Sequence, residues 1–264
     1  MKNLKKYFKI YKILAVHNFS IMIVSRFDFF LLLLGKIIQR VLEIIVIETV
    51  FTQTNSLLGY NRGEVFLFFA VFNLASVFIQ ALFYRGFWFT QRWVETGEFD
   101  HFLKYPVSEK FLNAFKVTDW IDITNMIPAL AIFGYALNIA GPFPTKNWVM
   151  FAATFLCGLA AAFAILMFIA ALNFFTPQAA PIHSIFRELA RSTRFPITIY
   201  PKSLEAFLTL VIPVALMSYV PTTALLGELS FNNFALVPIF ASVLVLLANR
   251  FWGYALRHYS SASS

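Results

Sequence analysis

Long apolar runs alternate with short polar stretches along this chain, and each run is close to the 20 residues that a membrane-crossing helix needs. Five runs are strongly apolar, at 65–84, 118–140, 148–175, 206–226 and 234–256. A weaker one, 27–51, is interrupted by Lys36, Arg40, Glu43 and Glu48. At about 100° per residue, Lys36, Arg40 and Glu43 fall within roughly 60° of one another, so they form one stripe that lipid would not tolerate. Each such charge costs about 2.5–3.5 kcal/mol at a helix centre. The stripe must therefore face protein or water. It serves either a functional or assembly role, or an Arg40–Glu43 ion-pair ladder that fixes helix packing.

Residues 1–26 interleave Lys2, Lys5, Lys6, Lys9 and Lys12 with Leu4, Tyr7, Phe8, Ile10 and Tyr11. That mixture predicts an amphipathic helix lying in the headgroup region, the alternative being a flexible basic tail. No long apolar core followed by small residues is present there, so it is expected to stay on the mature chain. In the fourth run Gly158 and Ala162, at i, i+4 spacing, favour close helix packing. In the fifth, Pro213 and Pro221 each free a backbone carbonyl and permit a bend. The fold expected is a single all-α integral membrane domain over 1–264, with an interfacial helix (1–26), six spans (27–256) and a short tail (257–264).

Composition sharpens this picture. The chain of 264 residues is 59% hydrophobic and 13% charged and has 33 Phe, with a mean hydropathy of +0.72. About a quarter of residues are charged in ordinary soluble domains, so a soluble enzyme is excluded and little length is left for a separate catalytic domain. The single cysteine, Cys157, allows no intrachain disulfide. The net charge of +8 first suggests nucleic acid. Its distribution argues otherwise: with six spans, seventeen Lys and Arg fall on the side of the termini and only Arg62 and Lys146 on the other. That is a positive-inside pattern with both termini cytoplasmic, and nucleic acid is not needed to explain it.

Catalytic signatures are sparse. The only Gly-Lys pair, Gly35-Lys36, lacks the rest of a phosphate-binding loop. His17, His101, His183 and His258 lie in separate segments without zinc spacing, so no metal site is expected. Asp119 and Asp122, one helical turn apart, are either a proton-relay or metal-assisting pair or simply acids matched to a helix N-terminus. The loop at 85–111 mixes aromatic residues with both signs of charge, and Gly97 and Pro106 bracket a short helix predicted near 98–104. Such a surface suits a protein partner or a lipid surface.

Three stretches carry a family resemblance: NSLLGYNRGEVFLFF, ETGEFDHFLKYP and RFPITIYPKSLEAFLTLVIPVALMSYVPTTALLG. The second resembles a Gly-x-Phe-Asp-x-x-Leu-x-x-Pro pattern, with Glu98 in its first gap. The third holds Arg194 and Pro196 followed by Val211 to Ala215. Together they resemble the exporter-type, or type-2, ATP-binding-cassette permease family over nearly the whole chain. That resemblance implies a six-span permease subunit that pairs with a second permease, identical or a sister chain, and docks separate ATP-binding subunits that hold ATP and Mg. No cofactor is then expected in this chain itself. It further implies a coupling helix after the second span, with Glu95, Gly97, Glu98, Phe99, Asp100, Phe102 and Leu103 as docking contacts. Arg187, Arg191 and Arg194 are candidates for a second docking surface or for anionic lipid headgroups. Pro213 and Pro221 would line or gate the pathway. The expected location is a bacterial-type plasma membrane, and the substrate is hydrophobic or amphipathic, cationic and drug-like or a lipid. The alternative is an ion-coupled secondary transporter or channel that uses Lys36, Arg40 and Glu43, or Asp119 and Asp122, as an ion route and needs no ATPase.

Overall fold

The computed structural model describes residues 2–24, 26–57, 59–176 and 180–260; the expected tail lies partly outside them, at 261–264. All regular structure among the described residues is helical, with one isolated bridge between Leu57 and Tyr60. Among the described residues four helices are long and apolar enough to cross a membrane: Arg62–Glu95, Trp120–Ala140, Thr145–Leu172 and Phe231–Leu256.

Helix α1 (Lys2–Val24) is followed by α2 (Arg26–Gln53). The N-terminal helix does not float free. The Lys6 ammonium donates to the Pro106 carbonyl at 2.7 Å, the Asn18 amide to the Lys116 carbonyl at 2.8 Å, and the Trp120 indole to the Ala15 carbonyl at 2.9 Å. Helix α2 has a spanning length, but its interior charges leave it outside the purely apolar class.

The centre of the bundle is α3 (Arg62–Ile79), which continues through a π-helical turn (Gln80–Tyr84) into α4 (Arg85–Glu95) as one helix. A capping box starts it: Asn61 Oδ1 accepts from the Glu64 amide at 3.0 Å and a Glu64 carboxylate oxygen from the Asn61 amide at 2.8 Å. Sequence alone ends this helix near Tyr84, where charges appear. The structure carries it eleven residues further because α4 has its own packing: Thr90 and Asn113 hydrogen-bond in the interior, and Gly86 presses against the Asn113–Ala114 backbone. In the π turn the Ala81 carbonyl accepts from the Asp119 amide at 3.2 Å, a group that an unbroken α-helix would use internally.

Short helices α5 (Phe99–Lys104) and α6 (Glu109–Phe115) lead to α7 (Trp120–Thr124) and α8 (Met126–Ala140). Helix α9 (Thr145–Leu172) follows. Its Gly158 meets the Leu216 carbonyl so closely that an added Cβ would lie 2.1 Å away, as the small-residue spacing predicted.

The segment after α9 departs from the sequence reading. Residues 180–205 look like a surface loop, yet α10 (Ala180–Arg191) and two 3-10 turns climb the bundle. Thr193 is fully buried, and its carbonyl and hydroxyl oxygens both accept from Ser218 at 2.8 Å. Helix α11 (Lys202–Ala206) then sits within electrostatic reach of Tyr219, beside Tyr60 and Glu228 at the opposite end from α5. From there the chain dips back through a second π turn (Phe207–Val211) to Pro213, which meets α9 and α10, and rises again through α12 (Tyr219–Leu226). The single span expected at 206–226 is thus a descending and an ascending piece. Of the four basic residues assigned to that loop, Arg187, Arg191 and Arg194 are half-buried beside the pockets along α2, and Lys202 lies at the other end. The charge asymmetry that persists rests on α1, on residues 85–117 and on the C-terminal end.

The two prolines behave differently. Ile212 leaves the helical region before Pro213, as a residue preceding proline tends to do, and the helix breaks there. Pro221 falls in the first turn of α12, where its missing N–H has no intrahelical partner to lose, so no bend results. Helix α13 (Phe231–Leu256) closes the fold with Pro238 in its interior.

Because the Leu216 backbone fills the space beside Gly158, Gly158→Ala is expected to destabilise the protein by about 1–3 kcal/mol. The same change at Gly134, where nothing lies within 4 Å, should leave stability unaltered. Thermal unfolding in mild detergent followed by size-exclusion chromatography checks the difference.

Candidate functional site

Two regions hold the residues singled out by sequence. The first is the end of the long central helix. Thr96 closes it by donating its amide to the Arg92 carbonyl at 2.9 Å, and Gly97, at φ 73°, turns the chain into α5. A left-handed φ is what glycine permits at low cost. Phe99 and Phe102, three residues apart, share the inward face of α5 and are almost wholly buried. Phe99 packs edge-on to Phe174 at 4.9 Å and to Tyr259 at 5.5 Å, and Phe102 meets Trp93 at 4.9 Å.

A cation completes this clamp. The Lys116 ammonium lies 4.5 Å from the centre of the Phe102 ring and 5.0 Å from that of Trp93. Burial pulls the Lys116 ammonium below the usual lysine value, and the Glu98 carboxylate opposes that shift. On the other side the Tyr259 hydroxyl donates to the Asp100 carboxylate at 2.9 Å. The helix is therefore fastened to α4, to the end of α9 and to the segment after α13.

Of the seven expected docking residues, Glu95, Glu98 and Leu103 point outward, Gly97 and Asp100 are half-buried, and Phe99 and Phe102 face the interior. The last two cannot touch a partner in this conformation; they anchor the helix. Their i, i+3 spacing was the available signal. Tyr105, 58% exposed next to Leu103, belongs to the outer surface and was missed.

The second region is a cavity of about 230 Å³ between α2, the first π turn, α7 and α10. It brings together residues that sequence reading kept in separate groups. Lys36 pairs with Asp122, and Arg85 pairs with Asp119 at 2.7 Å. Glu43 accepts from Arg40 at 2.7 Å and from Arg194 at 3.3 Å. Asp119 also caps α7, accepting from the Ile121 amide at 3.0 Å. The acid pair thus has a structural role, and the stripe on α2 does face protein. Arg187 and Arg191 line the same cavity, so the three arginines do not extend the α5 surface. Pro213 lines a separate apolar cavity of about 370 Å³ between α9, α10 and α13, and Pro221 is buried in α12.

The family model described as ABC-2 family transporter protein matches residues 37–263. This chain belongs to the ABC-2 transporter family. No curated protein and no solved structure matches it. The matched region of this ABC-2 protein contains α5, the cavity lining from Gln39 onward and the whole broken segment after α9. It is a helical integral-membrane component and not itself a catalyst.

The cation over two rings leads to one expectation. Lys116→Met keeps the side chain's bulk and removes its charge, which should loosen α5 by about 1–2 kcal/mol. Hydrogen exchange at 97–104 is expected to accelerate while the bundle core remains protected.

Proposed function

We propose that this chain is the permease subunit of an ATP-binding-cassette exporter. It crosses a bacterial-type plasma membrane six times with both termini cytoplasmic, α1 lying at the interface and α10 with its following turns making the fifth crossing. It pairs with a second permease, a copy of itself or a sister chain, and works with separate subunits that bind ATP and Mg. The observation that carries this reading is α5: a short helix locked to three parts of the bundle by Phe99, Phe102 and Asp100, with Glu95, Glu98, Leu103 and Tyr105 turned outward. Such an element can pass a push from a partner into the spans, which transmission between subunits requires.

The substrate is a hydrophobic or amphipathic molecule moved outward. Of the two substrate chemistries expected, a lipid-like amphiphile suits the interior better than a cationic drug, because the polar cavity is already rich in arginine and lysine. The charged groups that would serve as an ion route are instead paired with one another, which supports a packing role.

Affinity purification of the chain in mild detergent should bring down an ATP-hydrolysing subunit in comparable amount. Leu103→Arg combined with Tyr105→Arg changes only exposed positions and is expected to abolish that co-purification with the monodispersity of the chain unchanged. Unaltered recovery of the ATPase would place docking elsewhere.

A further inference from the structure

The polar cavity adjoins a second one. An apolar groove of about 420 Å³ runs along the neighbouring face of α2, lined by Ile38, Leu42 and Val46, each about half-exposed, and by Phe69 and Phe195. Gln39 and Glu43 line both, so those two side chains stand between the charged compartment and the apolar one.

The charged compartment has a surplus of positive charge. Lys36, Arg40, Arg187 and Arg191 line it, against Glu43 and Asp122, while Arg85 pairs with Asp119 in the pocket alongside. Most pair off, but Arg187 and Arg191 share Glu188, which is 57% exposed. The Arg187 Nε makes no hydrogen bond, its nearest carboxylate oxygen being 3.7 Å away. The Tyr84 hydroxyl, on a side chain 8% exposed, finds no partner within the protein either. Behind it His183, 1% exposed, packs edge-on to the Tyr84 ring with neither ring nitrogen hydrogen-bonded. Buried donors are nearly always satisfied in folded proteins, and more strictly inside a membrane bundle. Donors left open beside surplus cations point to an acceptor with negative charge.

We propose that the two compartments together bind an anionic amphiphile, a phosphate-type headgroup held by Arg187, Arg191 and the Tyr84 hydroxyl and one hydrocarbon chain laid along Ile38, Leu42 and Val46. Guanidinium groups suit this task because their fork of donors matches phosphate oxygens. The charged compartment of about 230 Å³ has room for a phosphate, and the apolar groove accounts for selection of a lipid over the free ion. The proposal deepens the transporter reading by naming the substrate's class and rests on that reading only for calling the ligand a substrate; binding itself requires no ATPase.

The test uses the full chain in nanodiscs of zwitterionic lipid and a fluorescent lysophosphatidic acid. Unlabelled lysophosphatidic acid should displace the probe, lysophosphatidylcholine should be at least about tenfold weaker, and inorganic phosphate should not compete at equal concentration. Arg187→Gln with Arg191→Gln is expected to weaken binding at least about tenfold and Tyr84→Phe about threefold. Leu42→Trp, which fills the apolar groove and leaves every charge in place, should also weaken the lipid and gives a second readout if the arginine variant does not fold. Equal affinity for the two lysolipids, competition by phosphate as strong as by the lipid, or full binding to both the arginine and the Leu42 variants would overturn the site. Lysolipid binding without a co-purifying ATPase would sink the permease reading and leave this site standing, whereas an ATPase partner without lysolipid selectivity would do the reverse.

Discussion

A charge inside an apolar helical bundle needs a partner within a few ångströms, and that requirement governs how this protein is assembled. Helix α2 carries Lys36, Arg40 and Glu43 into surroundings that would otherwise reject them. It is accepted because α7 offers Asp122 and the turn after α10 offers Arg194. Such pairs add little net stability, since desolvation offsets much of their attraction. What they supply is register: a shift of α2 by one turn would strand three charges at once. The positions of α7 and of the turn after α10 are thus tied to that of α2.

The π turn serves the same economy for the backbone. An unbroken helix through Gln80–Tyr84 would use the Ala81 carbonyl internally, leaving the Asp119 amide without this acceptor at the entrance of α7. Widening by one residue releases that carbonyl to Asp119, while Arg85, just after the turn, pairs with the Asp119 carboxylate. Backbone and side-chain bonds from Ala81 and Arg85, one helical turn apart, converge on one residue, so the local irregularity is what joins the central helix to the next span.

How much of this is readable without coordinates depends on the kind of force involved. Apolar runs reveal α3, α8, α9 and α13 because burial in lipid or protein is a property of single segments. The stripe of Lys36, Arg40 and Glu43 is likewise readable as a protein-facing surface, and Gly158 as a close contact. Pairing is not readable, since Lys36 and Asp122 stand 86 positions apart in the chain. Helix α10 reads as a loop for the same reason: hydropathy counts Arg187 and Arg191 as water-seeking and does not register the polar cavity that they line, half-buried. Boundaries matter as well. Pro213 and Pro221 look alike until the start of α12 is known, after which one breaks the chain and the other merely occupies a first turn. At α5 the composition pointed to a partner surface, but Phe99 and Phe102 were pooled with the outer residues although their spacing puts them on one face.

The separation of inner and outer residues on α5 is what makes a mechanical role physically coherent. A helix of six residues has little stability of its own, and one resting on the surface would yield to any force applied to it. Here a load on Leu103 or Tyr105 is resisted by two buried rings, a cation seated over aromatic faces and a hydrogen bond from beyond α13. Those contacts tie α5 to α4, α9 and α13 together. The helical ladder is interrupted elsewhere, in the stretch from Phe207 to Ser218, where a π turn, a non-helical Ile212 and a 3-10 turn follow one another. That stretch is joined to the walls of the two pockets along α2, because Ser218 grips Thr193 and Thr193 leads directly to Arg194 and its partner Glu43.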